Sequence, residues 1–116
     1  MAFSFEDLTV WQKAMDLDEQ INHLTKTFPK EEIYILTSQI KRAACSVVLN
    51  IAEGSTGQSK AVFKVFLSYS LRSAIEVVSC LFIAKRRNYL KDDQFKVLYN
   101  DYETLVKMLT SLKNSF

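Results

Sequence analysis

An all-α fold, specifically an up-down-up-down four-helix bundle, is what three observations on this 116-residue chain predict. Apolar residues recur at three- and four-residue spacing along almost its whole length, and no stretch alternates as a strand would. The breaks are few and strong: the single proline, Pro29, marks one, and the only two glycines, Gly54 and Gly57, mark another. Four long helices joined by short loops place consecutive helices antiparallel. A chain of this length forms one domain over residues 1–116, and it contains no internal repeat, linker or low-complexity tract.

The first helix is expected from Thr9, where Thr9-Val10-Trp11-Gln12 fits a capping box, to about Lys26, with Val10, Ala14, Leu17, Ile21 and Leu24 facing inward. Thr27-Phe28-Pro29-Lys30 ends it. The second helix opens on Glu31 and Glu32, whose charges suit a positive helix N-terminus. It closes at Gly54, read as a left-handed C-cap. After the loop Ser55 to Ser59, a third helix runs from about Lys60 to Asn88 with Phe63, Phe66, Ser70, Ser73, Val77, Cys80 and Ala84 on one face. The fourth opens near Asp92 and Asp93 and repeats Phe95, Leu98, Tyr102, Leu105, Leu109 and Leu112 at helical spacing.

Hydrophobic residues make up 48% of the chain, more than so small a domain can comfortably enclose. The third helix carries most of the surplus, with Val65, Leu67, Leu71, Ala74, Ile75, Val78 and Phe82 off its main face. A helix apolar nearly all round requires neighbours on more than one side. Association into a cyclic homo-oligomer is therefore expected.

A polar line on the second helix points the same way. At about 100° per residue, Gln39, Arg42, Ser46, Asn50 and Glu53 fall within an arc of roughly 80°, flanked by apolar residues on both sides. A solvent-facing stripe would be rich in Lys and Glu; this one is mostly uncharged hydrogen-bonding side chains. Together with Ser73 and Glu76 of the third helix it reads as a half-buried structural seam, with Arg42 and Glu76 expected to pair across the helices.

Enzymatic chemistry finds little support. His23 is the only histidine, no Glu-x-x-His pair exists, and the inner helices offer only Glu53 and Glu76 as carboxylates for a magnesium site. There is no Walker-type phosphate loop, Cys-x-x-Cys or nucleophile elbow. The segment Gly54 to Gly57 could cradle an anion through its amides, but helix termination is the simpler reading. A non-enzymatic protein without catalytic residues, cofactor or metal is expected. Cys45 and Cys80 lie in apolar runs, read as buried, reduced thiols of a cytoplasmic protein. From Ala61 to Ala84, 17 of 24 residues are apolar, but Lys64, Arg72 and Glu76 interrupt the run, which favours a core helix over a membrane span.

Charge is a mild +2, short of a dedicated nucleic-acid binder, yet its placement is suggestive. In the expected topology Lys26, Lys30, Lys85, Arg86, Arg87 and Lys91 share one end of the bundle with Glu31, Glu32, Asp92 and Asp93. Helix-dipole compensation accounts for much of this. Repetition around an oligomer would turn it into a multivalent surface for RNA or DNA phosphates, with Phe28, Tyr34 and Tyr89 near enough to stack on unpaired bases. The alternative is a protein-protein interaction scaffold with no nucleic-acid role, docking a partner through Phe3, Phe5 and Phe116.

The segments Phe5-Glu6-Asp7-Leu8-Thr9-Val10-Trp11-Gln12-Lys13-Ala14, Phe28-Pro29-Lys30-Glu31, Gln39-Ile40-Lys41-Arg42-Ala43-Ala44, Ser46 and Asn50-Ile51-Ala52-Glu53-Gly54, followed by Ser73-Ala74-x-Glu76, cover nearly the whole chain in order. They resemble the four-helix-bundle proteins encoded within intervening sequences of bacterial 23S ribosomal RNA genes, often called ribosomal proteins for their gene location. That family is similar to the accessory variability protein of diversity-generating retroelements, a pentameric ring that associates with nucleic acid and a reverse transcriptase. The resemblance implies a bacterial cytoplasmic homo-oligomer, a pentamer, with RNA or DNA binding, and it implies no enzymatic activity; that no membrane is a partner is expected from the charges within the third helix.

Overall fold

The computed structural model describes residues 2–116 and forms four helices: α1 (Thr9–Thr25), α2 (Ser38–Gly54), α3 (Lys60–Arg86) and α4 (Asp92–Asn114). No strand occurs among the described residues. The helices run antiparallel to their chain neighbours. Between α2 and α3, for example, Gln39 meets Glu76, Ser46 meets Ser73 and Gly54 meets Phe66, so one number rises as the other falls. The bundle measures 43 × 23 × 23 Å.

Helices α1 and α4 bury the face their spacing marks, and α3 does so only in part. Val10, Ala14, Leu17, Ile21 and Leu24 of α1 and Phe95, Leu98, Tyr102, Leu105 and Leu109 of α4 are buried, while Leu112 packs at the edge. In α3 the buried set is Leu67, Ser70, Ala74, Val77, Cys80, Leu81 and Ala84, so Phe63, Phe66 and Ser73 lie off the core centre and Leu67 and Ala74 within it. This 27-residue helix is long and apolar enough to cross a membrane by length and composition, as a core helix can also be.

Several helix ends differ from expectation. Leu8 in extended conformation precedes α1 with no side-chain cap, so Thr9 lies inside the helix; Gln12 instead donates to the Glu6 carbonyl at 2.8 Å. The segment before α2 forms a 3-10 turn at Lys30–Glu32 and a π turn at Ile33–Thr37, because Glu32 turns inward while Ile33, Tyr34 and Ile35 face out. Gly54 is not a left-handed cap. It has no positive φ, and its need for glycine comes from packing: a Cβ there would sit 2.6 Å from Phe66 Cβ and 2.9 Å from Phe63 Cδ1. The left-handed glycine is Gly57, in the loop, at φ 86°.

At the start of α3 the Ser59 hydroxyl accepts from the Val62 amide at 3.0 Å. The helix stops at Arg86, two residues early, because Asn88 adopts φ 62° and the Tyr89 amide bonds back to the Ala84 carbonyl at 2.9 Å. That is the Schellman pattern, with asparagine in glycine's usual place. Cys80 is buried as expected, but Cys45 is exposed on the α1 side of α2, where its thiol donates to Asp18 Oδ1 at 3.3 Å. Position 45 falls outside the inward arc of Ile40, Ala44, Val47 and Ile51. Partial burial, then the Asp18 contact, pushes that thiol's pKa up.

Candidate nucleic-acid interface and polar seam

The loops following α1 and α3 lie at one end of the bundle, joined by a clamp around Glu32. This carboxylate is buried, and its Oε2 accepts from Arg87 Nη1 at 2.8 Å and from the Tyr89 hydroxyl at 2.8 Å. The Tyr89 hydrogen bond, with the Arg87 charge added, holds the Glu32 pKa below its ordinary value despite burial. The same bond raises that of Tyr89. A carboxylate read as a simple helix-dipole partner is thus the tie between two loops. Nothing local in the sequence distinguishes it from its neighbour Glu31, which is exposed.

The clamp divides the six expected cations. Arg87 is spent on Glu32, and Lys85 lies 3.9 Å from Asp92 and 4.5 Å from the centre of the Phe95 ring. Lys26, Lys30, Arg86 and Lys91 are exposed and form no ion pair among the described residues. Of the three aromatics expected to stack on bases, Phe28 is buried against Tyr89 and Tyr89 is bound to Glu32, which removes both. Tyr34 remains, 93% exposed on the π turn. It stands beside a cleft of about 330 Å³ that includes Gln39, Ile83 and Arg87.

The polar seam lies between α2 and α3, and only its middle is withdrawn from solvent. Ser46, Asn50, Ser73 and Glu76 are half-buried; Gln39, Arg42 and Glu53 are exposed. Ser73 Oγ donates to Ser46 Oγ at 2.9 Å, and Asn50 Nδ2 donates to the same hydroxyl at 3.0 Å. The expected Arg42–Glu76 pair does not form. Glu76 accepts from Gln39 Nε2, and Arg42 reaches only Ser38 Oγ, at 3.5 Å. Gln39 is the residue one turn toward the start of α2, and the antiparallel register sets it against Glu76. Glu53 makes no side-chain hydrogen bond or ion pair among the described residues. The seam has one further member, Ser70, fully buried, whose hydroxyl donates to the Val47 carbonyl at 2.9 Å. A serine on an otherwise apolar stripe was the signal for it.

At the opposite end Phe3 is 64% exposed and stacks on Phe5, which leans on Trp11, while Phe116 packs on Phe63. Between α1 and α4 two clefts open, one of about 570 Å³ lined by Leu8, Thr104, Met108 and Ser111, the other of about 470 Å³ lined by His23, Asp93, Gln94 and Val97. No group of three or more His, Cys, Asp or Glu among the described residues is placed to hold a metal ion.

Fold and surface together define an antiparallel four-helix bundle with a hydrogen-bonded seam between its central helices. More particularly, the chain belongs to the 23S rRNA-intervening sequence protein family, whose family model matches residues 6–111. It is also similar to a crystal structure of a protein of unknown function from the S23 ribosomal protein family of Bacteroides thetaiotaomicron. The two share 27% identity at a TM-score of 0.84, over 90% of this chain and 98% of that one. No curated protein matches the chain.

Proposed function

We propose that this chain is a non-enzymatic, self-associating adaptor that binds RNA or DNA phosphates at one end of its bundle. The observation that carries this reading is the set of four exposed cations, Lys26, Lys30, Arg86 and Lys91, left free at that end while Lys85 and Arg87 are committed within the chain. One copy offers a weak site, and repetition in an assembly multiplies it. The need to assemble comes from apolar surface: Leu49, Val65, Tyr69, Ile75, Phe82 and Ile83 of α2 and α3 are all exposed. The family's association with ribosomal RNA genes agrees with an RNA ligand. Five copies, the number the resemblance implies, would carry about +10, enough for salt-sensitive binding.

Filter binding of a structured RNA over a salt series tests the reading. Retention is expected to fall with salt, with a log-log slope of about −3 per chain for four neutralised phosphates. The triple substitution Lys26→Glu, Lys30→Glu, Arg86→Glu is expected to abolish it. No retention by the unaltered protein even at low salt would overturn the nucleic-acid role. Exposed Phe3 favours a second reading, a scaffold that docks a protein through its aromatic N-terminal end. Affinity capture with and without nuclease separates the two, because only nucleic-acid-mediated partners are lost on digestion.

A further inference from the structure

The cleft of about 330 Å³ beside Tyr34 has two walls and two unlike ends. Cys80, Ile83 and Arg87, spaced three and four residues apart along the end of α3 and just beyond it, form one wall. Tyr34 and Ile35 of the π turn and Gln39 of α2 form the other. Ile35 and Ile83 are exposed and make the middle apolar. At the outer end the Glu32 contact takes one N–H of Arg87, yet that side chain stays 49% exposed, so further guanidinium N–H groups are open to a ligand. At the inner end Gln39 Nε2 donates to Glu76, which leaves Gln39 Oε1 an acceptor without a partner among the described residues. Because Glu32 ties the turn to Arg87, the free cations Lys30, two residues before Glu32, and Arg86, next to Arg87, flank the outer end.

We propose that this cleft receives one unpaired base of an RNA or DNA strand, its ring stacked on Tyr34, its edge bonded by Gln39 Oε1 and Arg87, and its neighbouring phosphates held by Lys30 and Arg86. This rests on the nucleic-acid reading above and names the form of ligand that reading leaves open: a single strand and not a duplex. The volume lies at the small end of the roughly 300–1,000 Å³ of ligand pockets, which is room for one flat heterocycle and not for a base pair with its two backbones. A duplex keeps its bases stacked and offers exposed cations only phosphates, so it makes no use of the Tyr34 ring. Every base has a face to stack and carries both a donor and an acceptor on its edge, so the cleft selects unpaired bases and not one particular base. An apolar protein segment would cover Ile35 and Ile83 but leave Gln39 Oε1, the Arg87 N–H groups and the two cations unmatched.

Fluorescence anisotropy on the full chain tests this with three labelled probes: an RNA strand of mixed, unstructured sequence, the same strand annealed to its complement, and an abasic strand with the same number of phosphates. The unaltered protein is expected to bind the intact strand about tenfold more tightly than either of the others, although the duplex carries more charge. Tyr34→Ala is expected to weaken the intact strand about tenfold and bring these preferences close to one, whereas Tyr34→Phe, which keeps the ring, retains them. Tyr34 is exposed on a turn, and circular dichroism verifies that both variants fold. Equal affinity of the unaltered protein for strand and duplex, or strand binding by Tyr34→Ala as tight as the unaltered protein's, would overturn the base site while the phosphate contacts stand. Displacement of the strand by an equal concentration of free adenosine monophosphate would also overturn it, as the mark of a mononucleotide site. Loss of a co-purifying protein from Tyr34→Ala with strand binding intact would overturn it in favour of protein docking. If no probe binds even at low salt, the nucleic-acid reading itself fails and the base site with it.

Discussion

Between α2 and α3 the backbones approach so closely that Gly54 has no room for a methyl group, whereas between α1 and α4 clefts of about 570 and 470 Å³ stand open. The difference follows from residue size and polarity. Gly54, Ser70, Ala74 and Ser46 line the first contact, and short side chains with hydroxyls can bond a neighbouring backbone directly, as Ser70 does with the Val47 carbonyl. Thr104, Met108, Ser111, Gln94 and Val97 line the second, where longer or more polar groups hold the surfaces apart and, among the described residues, only Lys13 and Asp101, 3.9 Å apart, form an ion pair across it. A close helix pair resists enlargement, and an open one absorbs it.

Breaking the close pair is expected to give the largest effect. Gly54→Leu forces a side chain into Phe63 and Phe66 and is expected to cost about 3 kcal/mol in denaturant unfolding, at the top of the usual overpacking range. Gly57→Ala, in open space but at positive φ, serves as a comparison and is expected to cost about 1 kcal/mol from backbone strain alone. Equal costs would refute the packing account of Gly54.

The Glu32 clamp fastens the close pair's end to the opposite loop, and it predicts a pH dependence. Because Tyr89 and Arg87 lower the folded-state pKa, the clamp's stabilisation is present above the unfolded carboxylate value of roughly 4 and lost as pH falls through the lower folded value. Thermal melts should therefore show an acid-side loss that Glu32→Gln diminishes and Glu31→Gln does not.

Ser70→Ala is expected to destabilise by about 1 kcal/mol or somewhat more, since it leaves a buried carbonyl with one partner fewer. Tyr102→Phe should do the reverse. The Tyr102 hydroxyl is buried with no hydrogen-bond partner among the described residues, and burial raises its pKa, so removing the oxygen is expected to leave stability unchanged or raise it by up to about 1 kcal/mol. The smallest effect is expected on the open side, where Ser111→Leu projects into the larger cleft and should change stability by less than about 0.5 kcal/mol. A large loss there would mean that the clefts are not real room.

The helices, and the buried faces of α1 and α4, could be read from spacing alone, because a repeat near 3.6 residues is a local property that any antiparallel bundle must satisfy; on α3, apolar nearly all round, spacing did not single out Leu67 and Ala74. Partners could not. Arg42 and Gln39 stand on the same arc of α2, and only the register of α3 decides that Glu76 faces the amide and not the guanidinium. Likewise Arg86 and Arg87 are adjacent and identical in kind, yet one is free at the basic end and the other closes on Glu32.

What the sequence by itself determined is the number of helices, their order and the apolar faces of α1 and α4, since hydrophobic period and chain breaks act over a few residues at a time. Only the tertiary structure decided that Gly54 is a packing residue and not a cap, that Cys45 faces out, and that Glu32 joins two loops. These depend on which atoms arrive within about 3 Å after the helices pack, a range at which hydrogen bonds and steric limits act.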